Sequence, residues 1–253
     1  MKDVLLQDLR YALRVLRQRP GFTAVAVLTH ALGIGATTAI FSVANGVLLR
    51  PLPYEAPERV VMAHARWEGS PNGPFSLAEY WDLREQTRSF TRIAAYSNGT
   101  LTLTGQGVPE RLRAGYLTAD ALPLLGVSPA IGRGPTAEED RPKEPQVVLL
   151  SDGLWRRRFA ADPRVVGRTL VMDDVPTTVV GVMPPGFQLP SHYAVPGMEV
   201  WTLLQLDPAV DRAERGGHWL EVIGRLRDGV AWTDADRELR SLVSAMRERY
   251  PTE

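Results

Sequence analysis

Residues 21–49 read GFTAVAVLTHALGIGATTAIFSVANGVLL, 29 positions without an Asp, Glu, Lys or Arg. At ~1.5 Å of rise per helical residue the run is more than long enough to cross a hydrocarbon core of ~30 Å. In lipid every backbone N–H and C=O must be satisfied internally, which a helix achieves. A membrane-spanning helix is therefore predicted, from about Val25 to Leu48. Ahead of it, residues 1–20 carry Lys2, Arg10, Arg14, Arg17 and Arg19 against Asp3 and Asp8, and charge resumes only at Arg50. The positive-inside bias then puts the N-terminus in the cytoplasm and everything after Arg50 outside. Two alternatives compete. Ser42-Val43-Ala44 has the small-x-small form of a signal cleavage site, but a signal h-region is typically about 7–15 residues. A buried helix of a soluble protein is the other, and nothing so long and uncharged recurs later in the chain.

Within the run, Ala31, Gly35 and Ala39 recur every fourth residue, as do Thr38, Ser42 and Gly46. Small residues at that spacing let a second helix approach closely, which is how helices associate in lipid, where hydrophobic burial supplies no driving force. The face predicts packing against a partner helix. His30 reads as hydrogen-bonded to a neighbour rather than as a proton relay. Upstream, Leu5, Leu6, Leu9, Ala12, Leu13 and Leu16 fall on one helical face while Arg10, Arg14 and Arg17 lie elsewhere. That amphipathic pattern fits the cytoplasmic membrane surface, with the three arginines as a contact for anionic lipid or for a cytoplasmic partner.

Beyond Arg50 strands and helices alternate. A strand is predicted at 58–65, a helix from the capping box at Ser76–Glu79 to about Thr87, and strands at 92–97, 100–104 and 111–117. A short helix from Thr118 stops at Gly126, and residues 135–145 (PTAEEDRPKEP) form a surface loop. There follow a buried strand at 146–150, a helix capped by Ser151 or Asp152, and a hairpin of 168–172 with 177–182 around Asp173-Asp174. A strand at 218–227 and a turn at Asp228-Gly229 then precede a helix from Thr233 whose Leu239, Leu242, Val243, Met246 and Tyr250 share a face. That last strand–helix pair repeats the first in outline and lacks a closing strand, so the chain reads as a fragment.

Much chemistry is absent from this sequence. With no cysteine among 253 residues, disulfides, thiolate metal sites and thiol nucleophiles are excluded. The only lysines are Lys2 and Lys143, and neither follows a glycine, so there is no P-loop. Gly33-Ile34-Gly35 lies inside the apolar run and is no dinucleotide loop. The histidines at 30, 64, 192 and 218 lack metal-ligand spacing. Glu138-Glu139-Asp140 and Asp173-Asp174 sit in predicted loops, where carboxylates are commonly solvated, and Arg156, Arg157 and Arg158 point in different directions on a helix. Basic and acidic residues balance at 29 each, so no net field marks the chain for nucleic acid. No catalytic, cofactor-binding or metal residue is assigned.

Several runs resemble a known family. Gln7-Asp8-Leu9-Arg10-Tyr11-Ala12-Leu13-Arg14, Pro20-Gly21-Phe22-Thr23, Ala31 through Ser42 and Gly46 through Tyr54 are similar to the N-terminus of MacB/FtsX-type ABC permeases. Within that family they look closest to the duplicated orphan permeases of acidobacteria. Leu150 through Phe159, Val166-Gly167-Arg168-Thr169-Leu170 and Val180 through Phe187 resemble the family's periplasmic core domain. The resemblance implies an α+β fold, in which one N-terminal transmembrane helix precedes an extracytoplasmic mixed α/β domain. Its discontinuous porter-like βαβ units would be residues 50–117 and 216–253, and an inserted second α+β subdomain would be 118–215, after a cytoplasmic helix (1–20) and the span (21–49). It also implies a separate ABC ATPase subunit, a place in the bacterial inner membrane, and mechanotransmission for efflux or export. The later spans of the family and any nucleotide-binding domain are not in the sequence. The rival expectations are a membrane-anchored binding module without an ATPase, or a domain secreted after cleavage at Ala44.

Overall fold

The computed structural model describes residues 11, 14, 16–44, 54–67, 70–105, 107–191 and 197–250. It divides into two units, Met1–Leu52 and Pro53–Glu253. In the first unit the apolar run is a helix, α1 (Pro20–Ala44), 25 residues long. Proline opens it, where its missing N–H costs nothing. Polar side chains along α1 turn back on their own helix: the Thr29 hydroxyl donates to the Val25 carbonyl and that of Thr37 to Gly33, both at 2.8 Å. His30 Nδ1 lies 2.8 Å from the Ala26 carbonyl, the local bond expected of a lone histidine in such a helix. Tyr11, Arg14 and residues 16–18 are helical. The rest of the predicted amphipathic helix, and the stretch 45–50 that includes Gly46, lie outside the described residues.

The second unit is built on one mixed sheet. Its elements are β1 (Val60–Ala63), β2 (Ala65–Trp67), β3 (Ser70–Gly73), α2 (Leu77–Gln86), β4 (Phe90–Thr104), β5 (Glu110–Leu117), α3 (Ala121–Leu125), β6 (Ile131–Gly132), β7 (Gln146–Leu150), α4 (Asp152–Phe159), β8 (Thr169–Met172), β9 (Val175–Val182), β10 (Val200–Leu203), α5 (Pro208–Asp211), β11 (Glu221–Leu226) and α6 (Trp232–Arg249). Strand order is β1-β11-β4-β5-β10-β7-β9-β6, with β8 bonded to both β4 and β9, while β2 and β3 pair apart from it. The pairs β1/β11, β11/β4 and β4/β5 are antiparallel, β5/β10 and β7/β9 parallel. Because β8 returns to β4, the strands β4-β5-β10-β7-β9-β8 close a ring around Leu103, Leu112, Val148, Leu170, Val179 and Val200. On the other part of the sheet, α2 and α6 cover one face, with Tyr80, Leu83 and Ala235 against Ala95, Val222 and Leu226. The opposite face packs α3 under Trp201, Tyr96 and Ile223.

Local signals explain most elements. Ser76 and Glu79 form the capping box of α2, with the Ser76 N–H donating to the Glu79 carboxylate at 2.8 Å. Ser151, not Asp152, caps α4. Asp173 and Asp174 both hold positive φ (45° and 65°), as the two-residue turn between β8 and β9 requires. Gly126 ends α3 at φ 67°.

The structure departs from the sequence reading at several places: β3, β6, β10 and α5 are not in that reading, and the strand read at 218–227 is β11, from Glu221 to Leu226. A 3-10 turn occupies Pro57–Arg59, so β1 starts only at Val60, and the strand breaks at His64. The segments 92–97 and 100–104 are one continuous strand of 15 residues. Asn98-Gly99 reads as a boundary but is extended, because the Tyr116 ring lies over Gly99, where a Cβ would sit 2.8 Å from Tyr116 Cε2. Finally, α6 begins at Trp232 with Ala231 as its cap residue, and Thr233 is not the cap.

Candidate interaction surfaces

On α1, Ala31, Gly35, Ala39 and Thr38 are all exposed. At ~100° per residue the rows 31-35-39 and 38-42 fall within one stripe about 100° wide. A Cβ built on Gly33 or Gly35 would meet nothing within 4 Å. The Ser42 side chain and Gly46 lie outside the described residues, as does Arg10, whereas Arg14 and Arg17 are helical and exposed. Phe22, Val25, Leu28, Leu32, Ile34 and Phe41 are exposed too, on a helix long and apolar enough to cross a membrane.

The outer unit holds two features that periodicity alone does not single out. The first is a groove of about 400 Å³ along β1, walled by Met62, Ala63 and His64 on one side, Leu83 at its floor, and Trp232, Leu239 and Val243 of α6 on the other. Trp232 at its rim is 54% exposed, unusual for so large an apolar side chain. Strand β1 ends the sheet, with β11 as its only neighbour there among the described residues.

The second is a polar cluster at Glu221, only 8% exposed. Its carboxylate accepts from Tyr96 Oη at 3.1 Å, from Ser191 Oγ at 3.0 and 3.1 Å, and from Asn98 Nδ2 at 3.4 Å. Tyr96 Oη also approaches the Pro190 carbonyl. Burial, then the adjacent Glu221 charge, push the Tyr96 phenol well above its ordinary range. The hydroxyl therefore stays protonated and ties the segment before residue 191 to β4 and β11.

The acidic loops serve structure. Asp140 does not sit in solvent. Its Oδ2 accepts from the Ala119 N–H at 2.7 Å and its Oδ1 from the Gln205 N–H at 3.0 Å, joining the ends of β5 and β10. Burial raises its pKa despite those two donors. Glu139 pairs with Arg133 at 2.6 Å, which lowers its pKa, and Asp173 accepts from the Thr102 N–H at 2.8 Å. Of the three arginines only Arg156 goes its own way, pairing with Asp152, whereas Arg157 bridges Glu110 and Glu199 and Arg158 lies 3.9 Å from the same Glu110. His218 Nε2 is 3.4 Å from Glu79. Among the described residues no cluster of His, Asp and Glu is arranged to hold a metal ion.

Comparison with known proteins agrees with this architecture. The profile of the MacB-like periplasmic core domain matches residues 23–242. No curated protein is similar enough in sequence to count as a match. Among solved structures, a domain of a protein described as a permease from Porphyromonas gingivalis superposes with a TM-score of 0.56 at 17% identity, covering 78% of this chain and 86% of that one. The periplasmic region of MacB from Actinobacillus actinomycetemcomitans gives 0.53 at 13% identity, over 75% and 83%. The extracellular domain of the noncanonic ABC-type transporter YknZ from Gram-positive bacteria gives 0.51 at 10%, over 77% and 94%. At such identities these likenesses speak for the fold.

Proposed function

Because this chain belongs to the MacB-like periplasmic core domain family, we propose that it is the N-terminal portion of an ABC-type permease whose outer domain relays ATPase-driven motion across the membrane for efflux or export. The family is that of a periplasmic core domain, and the reading gives the chain itself no catalytic step. The observation that carries the reading is β4. Its first half pairs with β11 under α2 and α6, and its second half pairs with β5 and β8 in the ring. One covalent strand therefore runs through both parts, as a mechanical element should. In this reading 50–117 with 216–253 form the porter-like part and 118–215 the insertion, and α1 lies in the inner membrane with the N-terminus in the cytoplasm. The motif runs assign it to the duplicated orphan type. Arg10, Arg14 and Arg17 then meet lipid or the ATPase subunit, and the stripe at Ala31, Gly35, Thr38, Ala39, Ser42 and Gly46 meets other spans or a second copy.

The test is affinity purification of the tagged chain from crosslinked native membranes. An ATP-hydrolysing subunit should co-purify, and its recovery should fall when Arg10, Arg14 and Arg17 are changed together to Glu. Recovery of the chain without any ATPase, in wild type and variant alike, sinks the relay and leaves a membrane-anchored binding module.

A further inference from the structure

We propose that residues 207–219 form a releasable strap, clasped to α2 by a zipper of charged pairs and able to open and reclose while the sheet on either side of it stays folded. The device lies wholly in the outer unit and goes beyond the relay. The chain runs into the ring along β4 and returns from β10 to β11 through residues 204–220. Both ends of that return are pinned. Gln205 donates its N–H to Asp140 Oδ1 at 3.0 Å and its side-chain amide to the Glu139 and Glu144 carbonyls, each at 2.9 Å. Leu220 is buried and exchanges backbone bonds with Phe75 at 2.8 and 3.0 Å. Between the pins no core forms: every residue from 207 to 219 is half-buried or exposed, with Val210 and Trp219 among the exposed.

What holds the strap instead is charge. Glu79, Asp82 and Glu85 recur every third residue on α2, and His218, Arg215 and Arg212 meet them in reverse order. Arg215 Nη2 lies 3.1 Å from Asp82 Oδ2, Arg212 Nη1 2.9 Å from Glu85 Oε2, and His218 Nε2 3.4 Å from Glu79 Oε2. The matching period on the strap has a local cause. Ala213 N–H donates to the Val210 carbonyl and Glu214 N–H to that of Asp211, three-residue turns that bring 212 and 215 to one side. The Glu214 carbonyl accepts the Ala78 N–H at 3.1 Å, one of the donors that a helix start leaves without an intrahelical partner. Arg215 also lies over the Tyr250 ring, its Cζ 3.6 Å from the centroid, and Arg212 over that of Trp81 at 5.7 Å. Exposed ion pairs contribute little each, and here they stand in for a core. The strap is thus at the low-stability end of the unit, where local opening comes well before global unfolding. A Cβ on Gly216 would meet only Glu214 Oε1, at 3.8 Å, so the last turn before Leu220 has room to swing.

The test is amide hydrogen exchange of the whole chain in detergent micelles, read at Ala78 and at 209–214, with 146–150 of β7 and 222–226 of β11 as references. In the parent, Ala78 and the strap should exchange faster than both references, and faster still at about 1 M salt, where charges are screened beyond ~3 Å. Asp82→Lys with Glu85→Lys sets like charges against Arg215 and Arg212, and should speed exchange at the strap by about ten-fold while leaving the references unchanged. Adding Arg212→Glu and Arg215→Glu rebuilds the two pairs with their signs exchanged. Exchange should then return toward the parent, short of it by the lost stacking of Arg215 on Tyr250. Strap exchange that rises only together with that of 222–226 overturns the proposal, because the strap then opens only with the sheet. So does salt-insensitive exchange in the parent, a measurement that needs no variant to fold, and so does a sign-exchanged chain that recovers nothing. No ATPase takes part in these readouts, so this failure is distinguishable from failure of the relay.

Discussion

Replacing Asp140 with Ala removes the acceptor that holds two part-buried backbone donors, the N–H groups of Ala119 and Gln205, at 2.7 and 3.0 Å. Hydrogen bonds to a charged acceptor contribute about 1.5–3 kcal/mol each, so two contribute ~3–6 kcal/mol. Burying the carboxylate offsets part of this, as its raised pKa shows. A net loss of ~3 kcal/mol is expected. For a domain of about 150–250 residues each kcal/mol moves Tm by about 2–4 °C, which gives a fall of ~6–12 °C. Asp140→Asn keeps one acceptor and should melt between the two. The assay is thermal unfolding of the full chain in detergent, followed by near-UV circular dichroism of buried aromatic side chains such as Trp201. If Asp140→Ala melts within about 2 °C of the parent, the clamp between the ends of β5 and β10 carries no energy and the reasoning fails.

Glu238 supplies the pH test: its carboxylate accepts from the N–H groups of Arg88 at 2.7 Å and Ser89 at 2.9 Å. Burial alone would raise its pKa, but bonds from Ser89 and Arg88 outweigh burial and hold it below the ordinary carboxylate range. The folded pKa is thus depressed, so its stabilisation is present above the unfolded value of ~4.3 and is lost as pH falls through the folded one. The Tm gap between parent and Glu238→Gln should be full at pH 7 and close on acidification, and a gap still undiminished at about pH 3 contradicts this. Gly181→Ala places a Cβ 2.7 Å from the Arg133 carbonyl and 2.9 Å from that of Ile131. Both neighbours are backbone, so urea unfolding should show a loss of about 1–3 kcal/mol. Gly35→Leu blocks close approach at the small-residue stripe and should lower crosslinking of α1 to a second span, and unchanged crosslinking discards that face.

The legible parts of this sequence are those whose physics is local. The uncharged run 21–49, the capping box at Ser76, the Asp173-Asp174 turn and the Gly126 stop each depend on neighbours within a few positions, and each is found as read among the described residues. Gly99 was opaque because its requirement comes from Tyr116, 17 positions away in sequence and diagonally across the ladder, where Gly99 faces Ala114 and Tyr116 faces Ser97. Asp140 looked solvated for a like reason, since its two donors belong to residues 119 and 205. The groove beside β1 needed the fold itself. Strand 60–63 alternates no differently from an interior strand, and only the sheet order makes it an edge.

Strand β4 bears on how a relay would work. A strand of 15 residues spans ~50 Å when extended, and its ladder bonds resist shortening. Because its first half pairs with β11 and its second half with β5 and β8, a displacement of β1, β11 and the two helices over them would be carried into the ring along β4 rather than absorbed at a loop.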